Sequence, residues 1–98
     1  MNHFITSIAY YPDQTDFHKS SRCFGYFAAL GEAVEAVKRN SCNMHESLYN
    51  YLVIEAFNEG IHPEVVQEYW YVWSDFAHRW EGIYKPQFTL GTINWAIG

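Results

Sequence analysis

The side chains best suited to chemistry in this chain are its cysteines, histidines and glutamates, and their spacing matches no common site. Cys42-Asn43-Met44-His45 has the spacing of half a zinc site, but tetrahedral zinc takes about four protein ligands and no second pair lies nearby. His62 and His78 stand alone. Cys23 or Cys42 with one of the five histidines would make a thiolate–imidazole nucleophile, yet no orienting residue or oxyanion loop accompanies them. Glu46, Glu55 and Glu59 form no recognisable acid pair, since Glu55 and Glu59 flank a strand end and a turn. Gly25 and Gly31 lack the spacing of a phosphate or dinucleotide loop. The expectation is a protein that is not an enzyme, with no catalytic residue, metal or cofactor.

Binding chemistry is better represented. Glu68-Tyr69-Trp70-Tyr71-Val72-Trp73 is followed, after a polar break, by Arg79-Trp80-Glu81-Gly82-Ile83-Tyr84. Two β-prone segments so separated read as a hairpin with rings on both faces, more ring surface than a short chain needs for its own core. Aromatic faces stack on nucleobases at about 1–3 kcal/mol each, and a few cations suffice for the phosphates of a small nucleotide. Arg22, Arg79 and Lys85 lie in or beside aromatic strands, whereas Lys38 and Arg39 read as solvated helix-end charges. The candidate ligand-binding set is Arg22, Tyr26, Tyr49, Tyr51, Tyr71, Trp73, Arg79, Trp80, Lys85 and Trp95. Each ring taken singly has a competing role in the core or at an oligomer interface.

These residues must be positioned by one small domain. The 98 residues, 49% hydrophobic, 19% aromatic and 17% charged, are those of a folded or assembling chain. A chain of this length buries roughly 60–65% of its unfolded surface. A net charge of −5 with six basic residues argues against a partner gripped through duplex phosphates, which needs a basic stripe. The eleven scattered carboxylates read as solubility charge rather than imitation of nucleic acid. Met1-Asn2-His3-Phe4 lacks the basic region and apolar core of a signal peptide. No stretch approaches the roughly 18–20 apolar residues of a membrane span. The expected location is the cytoplasm, with both cysteines unpaired.

Along the chain, residues 3–11 read as a first strand ending at Pro12-Asp13, with a loop over 14–21 and a second strand over 22–27 in which Gly25 suggests a bulge or a close backbone approach. Residues 30–40 read as the one helix. Its apolar stripe is Leu30, Ala33, Val34 and Val37, basic residues lie in its last turn, and Asn40 is placed as a left-handed terminator. Residues 49–57 read as a third strand with Leu52, Ile54 and Ala56 toward the helix and Tyr49, Tyr51 and Val53 away. The hairpin at 67–73 and 79–84 follows, and residues 88–98 form a C-terminal arm or edge strand. The expectation is a single α+β domain, residues 1–98, with a mostly antiparallel sheet of four to six strands and one helix packed on one face. One helix covers part of such a sheet, so the other face is expected to be polar-tolerant, covered by a second copy in a homo-oligomer, or a ligand platform.

The order Arg22-Cys23-Phe24-Gly25-Tyr26-Phe27, Asn40-Ser41-Cys42-Asn43-Met44-His45-Glu46, Tyr49-Asn50-Tyr51-Leu52-Val53-Ile54-Glu55, Gly60-Ile61, Trp70-Tyr71-Val72-Trp73, Lys85-Pro86 and Asn94-Trp95-Ala96-Ile97-Gly98 resembles a widespread family of small proteins of phages and mobile elements. The resemblance spans residues 21–98 and assigns no site. It implies a counter-defence role in the host cytoplasm. The first form of that role is a non-enzymatic protein that sequesters a small, cyclic nucleotide immune signal between aromatic rings. The alternative is an inhibitor, in the manner of an anti-CRISPR, that contacts a host defence complex directly.

Overall fold

A computed structural model of the chain describes residues 1–10, 21–45, 49–59 and 65–86, the side chain of Cys42 excepted. Five strands, β1 (Asn2–Ile8), β2 (Ser21–Phe27), β3 (Tyr51–Phe57), β4 (Val65–Ser74) and β5 (Arg79–Ile83), and one helix, α1 (Leu30–Lys38), make an α+β fold. The sheet order is β2-β1-β3-β4-β5, with every neighbouring pair antiparallel. β2 and β3 therefore run parallel on either side of β1, and the connection between them carries α1, which packs against β1, β2, β3 and β5.

The helix begins at Leu30 without a side-chain cap and ends where Asn40 takes φ 48°, with the Asn40 N–H donating to the Val37 carbonyl at 3.0 Å. Asparagine tolerates this left-handed conformation better than other residues with a Cβ, because its short polar side chain bonds locally. Ala33, Ala36 and Val37 are buried, while Leu30 and Val34 are half-buried at the rim of the same core. The stripe thus centres on two alanines whose small side chains let the helix lie close to Ile5, Leu52 and Ile54 of the sheet. Ala36 belongs to it although the expected stripe left it out.

Gly25 sits at a β-bulge. Ile5 pairs with Gly25 and Thr6 with Cys23, which leaves Phe24 as the extra residue, and Gly25 adopts φ 138°, where a side chain is strained. Phe24 is thereby turned inward against the helix-side core. β1 stops at Ile8, short of the expected Tyr11, because a side chain replaces the ladder: Tyr10 N–H donates to Asn50 Oδ1 at 2.8 Å and Asn50 Nδ2 donates to the Tyr10 carbonyl at 2.7 Å.

Leu52 and Ile54 face the helix and Tyr51 and Val53 face away, as the alternation requires. Tyr49 does not follow. It lies two residues before β3 begins, and its ring sits 6.4 Å from Phe24, a helix-side residue. The face away from the helix also departs from expectation. Thr6, Ile8, Val53, Glu55, Phe57 and Trp70 are all buried within the single chain, so the middle of that face is not an open platform, while Tyr26 at its β2 edge is exposed. The turn at 12–13, the loop over 14–20 and the arm over 88–98, with Trp95, lie outside the described residues.

Candidate functional site

The hairpin of β4 and β5 forms one edge of the sheet among the described residues. Its turn is closed locally: the Ala77 N–H donates to Ser74 Oγ at 3.1 Å, Trp73 Nε1 donates to Asp75 Oδ1 at 3.1 Å, and His78 takes φ 53°. The register sets Trp73 opposite Trp80, with ring centroids 5.4 Å apart and planes near perpendicular. The Trp73 N–H donates to the Asn50 carbonyl at 3.0 Å, so that residue's backbone faces β3. Hydrogen-bonded and non-bonded pairs alternate in an antiparallel ladder. The Trp73–Trp80 pair is therefore non-bonded, and Trp80 and Gly82 turn their N–H and C=O groups off the outer edge of β5.

Two clefts adjoin along that edge. One, of about 590 Å³, is lined by Lys38 from the last turn of α1 and by Arg79, Trp80, Glu81 and Gly82. The other, of about 720 Å³, lies at the hairpin's open end, where Gly82 again contributes, with Glu68, Tyr69, Tyr71, Tyr84 and Lys85. Both volumes fall in the range of small-molecule sites. Arg79 and Glu81 alternate with the core residue Trp80 and so project from the face away from α1, where Arg79 Nη2 lies 3.5 Å from Glu81 Oε2 in an exposed pair, an interaction typically worth about 0–1 kcal/mol that a stronger anion can displace. In the second cleft, Lys85 Nζ donates to Glu68 Oε2 at 3.3 Å while Trp70 Nε1 donates to Glu68 Oε1 at 2.9 Å. Burial, and then the neighbouring Tyr69, lifts the Tyr71 phenol above the usual tyrosine range, so it stays protonated at neutral pH.

Of the ten residues singled out from the sequence, Tyr71, Arg79, Trp80 and Lys85 line these two clefts. Trp80 is 5% exposed and belongs to the core, its indole N–H given to Asn40 Oδ1 at 3.2 Å, so it floors the cleft rather than offering a free face. Trp73 is packed as well: His45 stacks on it at 4.0 Å with an interplanar angle of 7°. His45 is held by donation from its Nδ1 to the Tyr49 carbonyl at 2.9 Å and from its backbone N–H to Asn40 Oδ1 at 3.0 Å. Arg22 lies on β2 with its guanidinium 5.0 Å from the Phe24 ring centroid, at the opposite edge of the sheet. Four strand spacings of about 4.8 Å separate β2 from β5, roughly 19 Å, so Arg22 and Arg79 cannot grip one phosphate. Tyr26 and Tyr51 sit on the face away from the helix, against Phe4 at 5.2 Å and Tyr10 at 6.3 Å respectively.

Lys38, Tyr69, Gly82 and Tyr84 line the clefts without being among those ten. Gly82 carried a signal, being an isolated glycine inside a strand pattern. Lys38 carried none, because the proximity of the helix C-terminus to β5 is a tertiary fact. Among the described residues no three metal-ligating side chains converge, Cys23 is an exposed free thiol, and no helix is long and apolar enough to cross a membrane. Compared with protein-family models, curated proteins and solved structures, the chain matches none.

Proposed function

We propose that this protein is a non-enzymatic binder that sequesters a small anionic nucleotide, with the counter-defence setting implied by its resemblance to phage and mobile-element proteins. The observation that carries the reading is the cleft on the outward edge of β5, which Lys38 lines from the helix side and Arg79 from the strand itself. Lys38 and Arg79 outweigh the one carboxylate of the cleft, Glu81, and with the N–H groups that point off the edge of β5 they offer what a phosphate group needs. Of the three cations Arg22, Arg79 or Lys85 expected on the ligand's phosphates, this reading uses Arg79, adds Lys38, and leaves Lys85 at the far end of the adjoining cleft.

The test is thermal-shift screening against cyclic di- and trinucleotides and ADP-ribose derivatives. A ligand at about 100 times its dissociation constant adds roughly 2.7 kcal/mol to stability. Arg79→Ala, at an exposed position, should keep the fold and weaken the best ligand by about tenfold or more, a loss of the order expected for one charge-assisted contact. The ligand should be recovered unchanged by chromatography after long incubation, and turnover would contradict a binding role.

A second reading, direct contact with a host defence complex, is favoured by the hairpin tip, where Phe76 is 100% exposed, and by Tyr84 at 97%. A fully exposed ring on a protruding turn is shaped as an interface anchor. If folded protein binds no nucleotide, this reading takes over, and Phe76→Ala should then abolish inhibition without altering the melting temperature.

A further inference from the structure

Resting on the nucleotide reading, we infer that the ligand is a two-ended molecule laid along the outer edge of β5. Its phosphate end lies between Lys38 and Arg79, its ring end lies against Tyr84 in the adjoining cleft, and Gly82 is the seam it crosses. Gly82 is the residue common to both clefts. A Cβ placed there would meet no atom within 4 Å, and its backbone is not in the region reserved for glycine. The fold therefore does not require glycine at this position, and a strand interior disfavours it. What the missing side chain leaves is open space joining the cleft of Lys38, Arg79 and Glu81 to a tyrosine-lined one, beside the outward N–H groups of Trp80 and Gly82. Tyr84 is 97% exposed at the rim of the second cleft, a ring with little packing of its own and both faces free to stack.

The chemical class follows from the two ends. Inorganic phosphate would engage only the cations and a nucleoside only the ring, so the preferred ligand is a phosphorylated nucleoside or a cyclic dinucleotide.

The experiment measures binding of inorganic pyrophosphate, adenosine and cyclic di-adenylate to wild-type protein, Gly82→Val, Tyr84→Ala and Lys38→Ala by calorimetric titration, with melting temperatures alongside. Cyclic di-adenylate is expected to bind wild type more tightly than either pyrophosphate or adenosine. Gly82→Val should melt no lower than wild type, since a β-branched residue suits the strand, yet bind cyclic di-adenylate about tenfold or more weakly by blocking the seam. Tyr84→Ala should weaken cyclic di-adenylate and adenosine by a similar factor and leave pyrophosphate unchanged. Lys38→Ala should weaken pyrophosphate and cyclic di-adenylate together. If cyclic di-adenylate binds wild type, Gly82→Val and Tyr84→Ala equally, this placement is overturned while the nucleotide reading stands. If none of the three probes binds folded wild type, the placement falls, and failure of the wider cyclic-nucleotide screen takes the nucleotide reading with it.

Discussion

Asn40 shows how much one side chain can hold. Its oxygen accepts from the His45 backbone and from the Trp80 indole, its amide donates to Asn43 Oδ1 at 3.3 Å, and its backbone supplies the left-handed turn that ends α1. Asn40→Gly removes the hydrogen bonds and keeps the conformation. Asn40→Ala removes the bonds and adds strain of about 1 kcal/mol at positive φ. Urea denaturation should therefore rank wild type above Asn40→Gly and Asn40→Gly above Asn40→Ala, and equal midpoints for the two variants would contradict the account. Tyr71 gives a pH dependence. Its phenol is held above its usual range near 10 in the folded state. Above about pH 10 the unfolded chain loses a proton that the folded one retains, so stability falls as pH rises through that window. Tyr71→Phe should flatten the alkaline loss of urea midpoint between about pH 9 and 11. The sequence disclosed Asn40 as a helix terminator because that role depends on neighbours in the chain. Its bond to Trp80, forty residues away, depends on the fold.

At the scale of elements, the periodicities were legible and the junctions were not. Val37 is 1% exposed under α1 whereas Glu35 points outward, 3.5 Å from Arg39. Val37→Asp places an unpaired charge in the core and should cost several kcal/mol, enough to unfold a domain of this size, while Glu35→Ala should change stability by under about 0.5 kcal/mol. Equal losses in a urea titration would contradict the assignment of faces. β3 was readable because Leu52, Val53 and Ile54 alternate cleanly between two clusters. Tyr49 was not, because its inclusion assumed that the strand began where the aromatic pattern did. Lys38 and Arg39 read alike in the sequence because both sit at a helix's end, and only the crossing of α1 over the sheet separates the one that reaches β5 from the one that pairs with Glu35.

At the scale of the molecule, Thr6, Ile8, Val53, Glu55, Phe57 and Trp70 are buried in one chain while Tyr26 and Ile83 at the edges of the same face stay exposed. The clefts along β5 are built from a single chain, so the account expects one ligand-binding site per chain at any oligomeric state. Binding of a small anionic nucleotide on the edge of β5 is read by a two-dimensional amide NMR titration of the labelled protein with cyclic di-adenylate. Shifts should saturate and concentrate on Lys38, Arg79, Trp80, Gly82 and Tyr84, with the outward amide of Gly82 among the largest. Shifts centred on Arg22 and Tyr26 at the opposite edge, or a spectrum unchanged by the ligand, would contradict binding there.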